Sequence, residues 1–184
     1  MIKMAAETPQ TDIAYYARRR HDIIKNKIFK SESESDVRHH VLSLYDLDLI
    51  GNLEKNRIDF WSDNVIIEFK HNVDLRNMNV RCKVLSQILH YLYLMPTKYG
   101  NFDLPDTICL ADKTNFIFYD TKDFIKYLFK DTYFTNVTRP SGDHPDLEKI
   151  LRGDRNVKGS IFHTIADYPS IWSELEKRGV YKGA

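Results

Sequence analysis

Three charged residues, Asp59, Glu68 and Lys70, have the types and the spacing of a metal-dependent hydrolytic site. Glu68 and Lys70 lie two residues apart in the run VIIEFK at 65–70, so on a strand their side chains emerge on the same face. A three-residue polar turn separates this run from RIDFW at 57–61, and two β-rich runs joined in this way predict a hairpin. Across that hairpin, Asp59 lies near Glu68 if the register allows.

Two carboxylates on paired strands offer the oxygen ligands that Mg²⁺ or Mn²⁺ prefers. A lysine beside them can orient an attacking water or hold a phosphate, and it offsets charge that develops in the transition state. The same spacing also fits an edge-strand salt bridge, between Glu68 and Lys70 or between Asp59 and Arg57, on a half-exposed strand. The first interpretation predicts phosphodiester hydrolysis, whereas the second predicts only a structural contact.

Two helices should precede the hairpin. Thr8 is placed as the N-cap of the first helix, with Pro9 at its first position. Ser33 and Asp36 are placed like a capping box at the start of the second, and Gly51 is expected after its end.

A third helix is expected from about Asn79 to Met95, where Pro96 would stop it. Two short apolar strands follow, and then a helix capped by Asp120 or Thr121. The expected strands are TICLA at 107–111 and NFIFY at 115–119, and at most two helices follow position 138, near Pro145–Leu151 and Ser170–Arg178.

The order helix, helix, hairpin, helix, strand, strand, helix predicts an α/β fold with a mixed central sheet flanked by helices and a helical C-terminal tail. We expect a core with its N-terminal helix at 1–137 and a helical C-terminal extension at 138–184, which could link to a further domain. The 184 residues suffice for one compact domain.

Composition narrows the class of protein but not its chemistry. The formal net charge is +1, so any DNA-binding surface must be a local basic patch. The two cysteines share no CxxC-type spacing, and no apolar run could span a bilayer or act as a secretory signal. We therefore expect a soluble cytoplasmic protein without a membrane partner. Several basic residues flank the site in sequence and could grip phosphates or form ordinary surface charge: Lys25, Lys27, Lys30, Arg76, Arg81 and Lys83.

The string RIDFWSDNVIIEFK at 57–70 resembles the PD-(D/E)XK nuclease superfamily, in which an Asp, a hairpin and Glu-x-Lys occur in this order. Ile58 stands where that pattern has proline. The segment SESDVRHHVL at 33–42 resembles the helix before the hairpin in the nuclease domains of type I restriction motor subunits and related restriction enzymes. The resemblance spans about 32–119 and implies a restriction-endonuclease-like αβββαβ core.

The resemblance also implies roles for individual residues. Asp59 and Glu68 would bind Mg²⁺ or Mn²⁺ together with the backbone carbonyl of Phe69. Lys70 would position the nucleophilic water, and Glu34 would supply an outer metal contact.

Two of these assignments have alternatives. Glu32 replaces Glu34 if the helix begins a turn away from its expected position. Gln87, in LSQILHYL at 85–92, resembles a glutamine that some members carry on the helix after the lysine strand. It would either belong to the site or hydrogen-bond to backbone groups.

The expected function is that of a metal-dependent DNA endonuclease from a restriction or phage-defence system. DNA is the expected partner, with further domains or subunits of a restriction complex, and a homodimer would suit double-strand cutting by one site per chain. The chain could be the N-terminal part of a larger polypeptide. Two alternatives remain: a catalytically silent DNA-binding module on the same fold, and a protein-interaction domain whose charged strand is an exposed edge.

Overall fold

The computed structural model describes residues 9–49, 51–53, 59–98 and 103–181, and the side chains of 16–48, 51, 59–96 and 103–181. Within these ranges, six strands form one sheet in sequential order. The strands are β1 (Asn52–Leu53), β2 (Phe60–Trp61), β3 (Val65–Phe69), β4 (Thr107–Ala111), β5 (Asn115–Asp120) and β6 (Phe162–Thr164). Neighbouring strands are antiparallel except β3 and β4, which are parallel. The predicted α/β class with a mixed central sheet is therefore confirmed.

Helices lie on both faces of the sheet and include one long helix between β3 and β4, as a parallel connection requires. The α-helices are α1 (Pro9–Ile23), α2 (Glu34–Leu44), α3 (Met78–Lys98), α4 (Thr132–Thr135), α5 (Pro145–Gly153), α6 (Arg155–Lys158) and α7 (Tyr168–Lys177). A π-helical turn at Ile24–Ile28 continues α1, and 3₁₀ turns occur at Leu47–Leu49, Thr121–Asp123 and Ile125–Phe129. The first helix is described from Pro9, its predicted first position, whereas Thr8, the predicted N-cap, lies outside the described residues.

Two apolar cores enclose the sheet, one on each face. The first core contains the buried face of α3 together with residues of α5 and α6, and the second contains α2 and α7. Strand β3 contributes to both, because Ile66 packs in the first core while Val65 and Ile67 pack in the second. A strand buried on both faces is expected between two helical layers.

The start of α2 follows the predicted capping chemistry. Ser33 Oγ accepts a hydrogen bond from the Asp36 amide at 3.1 Å. The Asp36 carboxylate accepts one in return from the Glu32 amide at 3.1 Å, one residue earlier than in a standard capping box. The buried Val37 and Val41 then hold the helix against the sheet.

The predicted end of α2 at Gly51 is wrong. The helix ends at Leu44, and Asp46 adopts the left-handed conformation with a φ of 55°. Aspartate tolerates this region better than most residues, so a glycine is not required there. Gly51 is instead needed for close packing, because a Cβ atom at this position would collide with the ring of Phe60.

The predicted end of α3 at Pro96 is also wrong, since the helix includes Pro96 and continues to Lys98. Proline removes one backbone hydrogen bond and disfavours helical geometry in the residue before it. That preceding residue, Met95, is fully buried in the first core, and this packing holds the last turn in helical form.

The helix expected after Asp120 consists instead of the two 3₁₀ turns that end at Phe129. Phe124 and Tyr127 are both buried in the first core and lie three residues apart. That spacing matches the three residues per turn of a 3₁₀-helix.

The segment from 138 onward contains α5 and α7, as predicted, and in addition the short α6 and strand β6. Strand β6 pairs antiparallel with β5, with Phe162 opposite Ile117. The segment also places Leu147 in the first core and Ile171 in the second. The prediction of at most two helices missed α6 and β6 because both are too short to show a period. Among the described residues, no helix is long and apolar enough to cross a membrane.

Candidate active site

The register of the β2–β3 hairpin places the candidate carboxylates opposite each other. Phe60 pairs with Ile67 and Trp61 with Ile66, so the same register sets Asp59 opposite Glu68. The amide of Ser62 donates to the carbonyl of Val65, which makes the positions of Asp59 and Glu68 a non-hydrogen-bonded pair. Side chains of such pairs lie on one face and close together.

Two hydrogen bonds connect these carboxylates to the facing backbone. The Asp59 amide donates to Glu68 Oε1 at 3.1 Å, and the Phe69 amide donates to Asp59 Oδ2 at 2.9 Å. Each carboxylate is thus held by the other strand and keeps one oxygen, Asp59 Oδ1 or Glu68 Oε2, for other partners. The residues at 59, 68 and 70 can form a site only if the two carboxylates meet across the hairpin in this way.

Cationic side chains approach both of the remaining oxygens. Lys70 Nζ lies 3.9 Å from Glu68 Oε2 and 3.9 Å from Glu34 Oε1. An Arg38 guanidinium nitrogen lies 3.8 Å from Asp59 Oδ1. These separations are ion pairs rather than short charge-assisted hydrogen bonds, which measure about 2.7–2.9 Å.

The position of α2 depends on a contact at the end of β3. His71 follows Lys70, and its Nε2 lies 3.0 Å from the backbone carbonyl of Ser31. Ser31 precedes the capped start of α2, so the contact holds that end of the helix beside the hairpin. Glu34 is the first residue of α2 and contacts Lys70, whereas the alternative Glu32 lies two residues before the helix.

Burial disfavours the charged forms of both facing carboxylates. The Glu68 side chain is 8% exposed. Burial, followed by the charge of Asp59, raises the pKa of Glu68 to about 8, against the opposing effect of Lys70. Burial also raises the pKa of Asp59, although the Phe69 amide, Lys70 and Arg38 act against it. A cation placed between the two carboxylates would relieve both effects.

The ligands at this position fit a divalent ion with oxygen ligands. Among the described side chains, no cluster of three or more His, Cys, Asp or Glu forms a metal site. Mg²⁺, however, is commonly held by one or two carboxylates with water and substrate phosphate completing its shell, and Asp59 and Glu68 supply that number. The Phe69 carbonyl points to the same side of β3 as its amide, toward Asp59.

Strand β3 lies between β2 and β4, and all five of its residues are buried. The alternative interpretation as a half-exposed edge strand is therefore wrong, although one ion pair that it named, between Glu68 and Lys70, is present. The other, between Asp59 and Arg57, involves a residue outside the described ranges.

Gln87 lies on the buried face of α3, and its amide donates to the carbonyl of Ser141 at 3.0 Å. It thus makes a backbone hydrogen bond to the loop before α5. Three residues further along α3, His90 contacts His144 from the same loop, with 2.8 Å between their ring nitrogens. Gln87 and His90 therefore both make polar contacts between α3 and the loop before α5.

The flanking basic residues differ in exposure and partners. Arg81 is 4% exposed and donates to the backbone carbonyls of Leu75, Arg76 and Val157, so the idea that it grips phosphate is wrong. Lys83 pairs with Asp143 at 3.1 Å. The lysines at 25, 27 and 30 are exposed along and just after the π-helical turn.

Sequence reasoning missed Arg38 as a residue of the site. A signal was present, because Arg38 follows Glu34 by four residues and therefore shares its face of α2.

Comparison of the chain with protein-family models, curated proteins and solved structures finds no match.

Proposed function

We propose that this chain is a metal-dependent nuclease that hydrolyses the phosphodiester bonds of DNA. The observation that carries the proposal is the pairing of the buried Glu68 with the partly exposed Asp59 across the hairpin, with Lys70 Nζ 3.9 Å from Glu68. Two carboxylates held side by side repel each other, and burying one of them is costly in a purely structural role. They are expected where a divalent cation completes the site.

Each residue has a role that follows from its position. Asp59 and Glu68 would hold Mg²⁺ or Mn²⁺, with the Phe69 carbonyl as a further oxygen ligand. When bound, such an ion polarises a phosphodiester and makes a water molecule more acidic. The Lys70 ammonium would orient the attacking water and offset the charge that develops on the phosphate. Glu34, which is 52% exposed, holds Lys70 from the solvent side and would contact the ion through water.

The string at 57–70 and its resemblance to PD-(D/E)XK nucleases support the same activity. The setting that the resemblance implies is a restriction or other phage-defence system in the cytoplasm. DNA would then be the substrate, and further domains, subunits or a second copy of the chain would be its partners. The silent DNA-binding module is the main competitor, because it keeps the fold without the reaction.

The experiment that tests the proposal is incubation of supercoiled plasmid with the purified protein in Mg²⁺, in Mn²⁺ and in EDTA. Lys70→Ala is compared with Lys149→Ala, which removes an exposed lysine of α5 away from the hairpin. We expect nicking or linearisation that requires metal, falls about a hundredfold or more in Lys70→Ala and is retained in Lys149→Ala.

Other outcomes would contradict the proposal in distinguishable ways. DNA binding without cleavage would favour the silent module. The absence of both cleavage and salt-sensitive DNA binding would favour a protein-interaction domain, whose contact surface would not be the buried strand β3. Equal cleavage by wild type and Lys70→Ala would retain a nuclease but reject this site.

A further inference from the structure

Arg38 lies at the candidate active site on the side opposite Lys70. Its guanidinium approaches Asp59 Oδ1 at 3.8 Å, whereas Lys70 approaches Glu68 and Glu34. The side chains of Arg38 and Asp59 are 18% and 20% exposed, so this ion pair borders solvent rather than filling the core. The two cations therefore flank the carboxylate pair, and a substrate could reach the Arg38 side.

The charges of the site change sign when a divalent ion is added. Among the described side chains, and with Glu68 deprotonated as metal binding requires, the three carboxylates of Asp59, Glu68 and Glu34 outnumber the cations Lys70 and Arg38 by one. A divalent ion beside Asp59 turns that single negative charge into a single positive one. It also brings two cations, the ion and the guanidinium, to the same carboxylate. An anion between them would remove their repulsion.

A phosphodiester matches this requirement in charge and in shape. It carries one negative charge, and its two non-bridging oxygens can meet an ion on one side and a guanidinium on the other. The planar guanidinium presents five N–H donors in a fork that fits phosphate oxygens, whereas a lysine acts as a point charge. Arg38 also extends from α2, whose start is fixed by the Ser33 cap and the contact between His71 and Ser31.

We propose that Arg38 is a substrate-binding residue of this site, whose guanidinium holds a non-bridging oxygen of the phosphate beside Asp59; this inference rests on the nuclease function proposed above. In the metal-free protein the same guanidinium pairs with Asp59. In the loaded complex it turns to the phosphate.

The test measures DNA affinity rather than cleavage. A fluorescent duplex is titrated with protein at several salt concentrations, with Ca²⁺ in place of Mg²⁺ and with the DNA checked for integrity on a gel. Arg38→Ala and Arg38→Lys are compared with Arg152→Ala, which removes an exposed arginine of α5 that does not flank the site in sequence. Thermal stabilisation by Ca²⁺ without DNA is measured in parallel, because it reports on the carboxylates alone.

We expect Arg38→Ala to weaken DNA binding about tenfold. The slope of log affinity against log salt should fall by about one, because one phosphate contact is lost. Arg38→Lys should keep the wild-type slope, because the charge remains, but should bind more weakly than wild type. Arg152→Ala should match wild type, and Ca²⁺ should still stabilise every variant.

Four results would overturn the inference. Unchanged affinity and slope in Arg38→Ala would mean that Arg38 does not touch the phosphate. Loss of Ca²⁺ stabilisation in Arg38→Ala would mean that it only positions Asp59. If Arg38→Ala fails to fold, wild-type affinity and slope in folded Arg38→Lys would reject the forked phosphate contact. If the wild type shows neither metal stabilisation nor metal-dependent DNA binding, the proposed function fails as well.

Discussion

Replacement of Glu68 by glutamine should remove a pH-dependent loss of stability from the metal-free protein. Because its pKa is raised to about 8 from an ordinary value of 4.5, the folded protein keeps a proton on Glu68 that the unfolded chain has released. This difference makes the folded protein less stable as the pH rises. The contribution to the free energy of unfolding is fully present below pH 4.5 and is lost as the pH rises through 8. Glutamine keeps a neutral side chain of similar size and does not titrate.

The magnitude follows from the same difference. The Glu68 pKa rises from 4.5 in the unfolded chain to about 8 in the folded protein. At about 1.36 kcal/mol per pKa unit, this rise corresponds to about 5 kcal/mol in the free energy of unfolding. Solvent screening reduces this value little, since the Glu68 side chain is 8% exposed. Domains of this size are stable by about 5–15 kcal/mol, so the effect is a large share of the total.

The assay is urea unfolding in EDTA between pH 5 and pH 9 for wild type, Glu68→Gln and Glu32→Gln. The last variant removes an exposed carboxylate just before α2 and serves as the control. Relative to Glu68→Gln, the wild type should lose several kcal/mol of stability across this range, and Glu32→Gln should lose as much as wild type. Parallel curves for wild type and Glu68→Gln would refute the reasoning, because Glu68 would then titrate equally in the folded and unfolded states.

Three further predictions concern metal, packing and buried charge. Mg²⁺ or Mn²⁺ should raise the melting temperature of wild type but not of Asp59→Asn. The rise should be larger at pH 8.5 than at pH 6, because Glu68 must lose its proton to bind metal. Scanning fluorimetry measures both effects, and a rise that does not change with pH would contradict this prediction. Gly51→Ala should destabilise the fold by about 1–3 kcal/mol in urea unfolding, because the added Cβ would collide with the Phe60 ring. An unchanged urea midpoint would mean that the ring moves aside freely. Arg81→Ala should lower the free energy of unfolding by about 1–3 kcal/mol, because buried carbonyls would lose their donor. The salt dependence of DNA binding should stay as in wild type. A changed salt slope would instead mean that Arg81 contacts phosphate.

The hairpin was predictable from the sequence because its signals are local. Two apolar runs joined by a polar turn set the strands, and the period of a strand places Glu68 and Lys70 on one face. The register that brings Asp59 opposite Glu68 was left open, because it depends on where the turn closes. The buried position of β3 was also left open, since a strand's neighbours in the sheet depend on distant segments.

The contact of Arg38 with Asp59 could not be read from either segment alone. It requires α2 to lie against the hairpin at one particular rotation, which the buried Val37 and Val41 and the contact between His71 and Ser31 determine together. Strand β6 was missed for a related reason. Its three residues acquire strand geometry from pairing with β5 rather than from an apolar pattern of their own.

The contribution of the segment after residue 138 has a consequence for the order in which the nascent chain can complete its fold. The ribosome releases the hairpin with Asp59 and Glu68 well before it releases β6 and α7. Until those elements emerge, the edge of β5 at Ile117 has no partner strand, and the second core lacks Ile171. An unpaired edge is a template for pairing with another chain, and incomplete intermediates are prone to aggregation. During the interval between the synthesis of β5 and that of α7, this strand edge is therefore open to pairing with another chain.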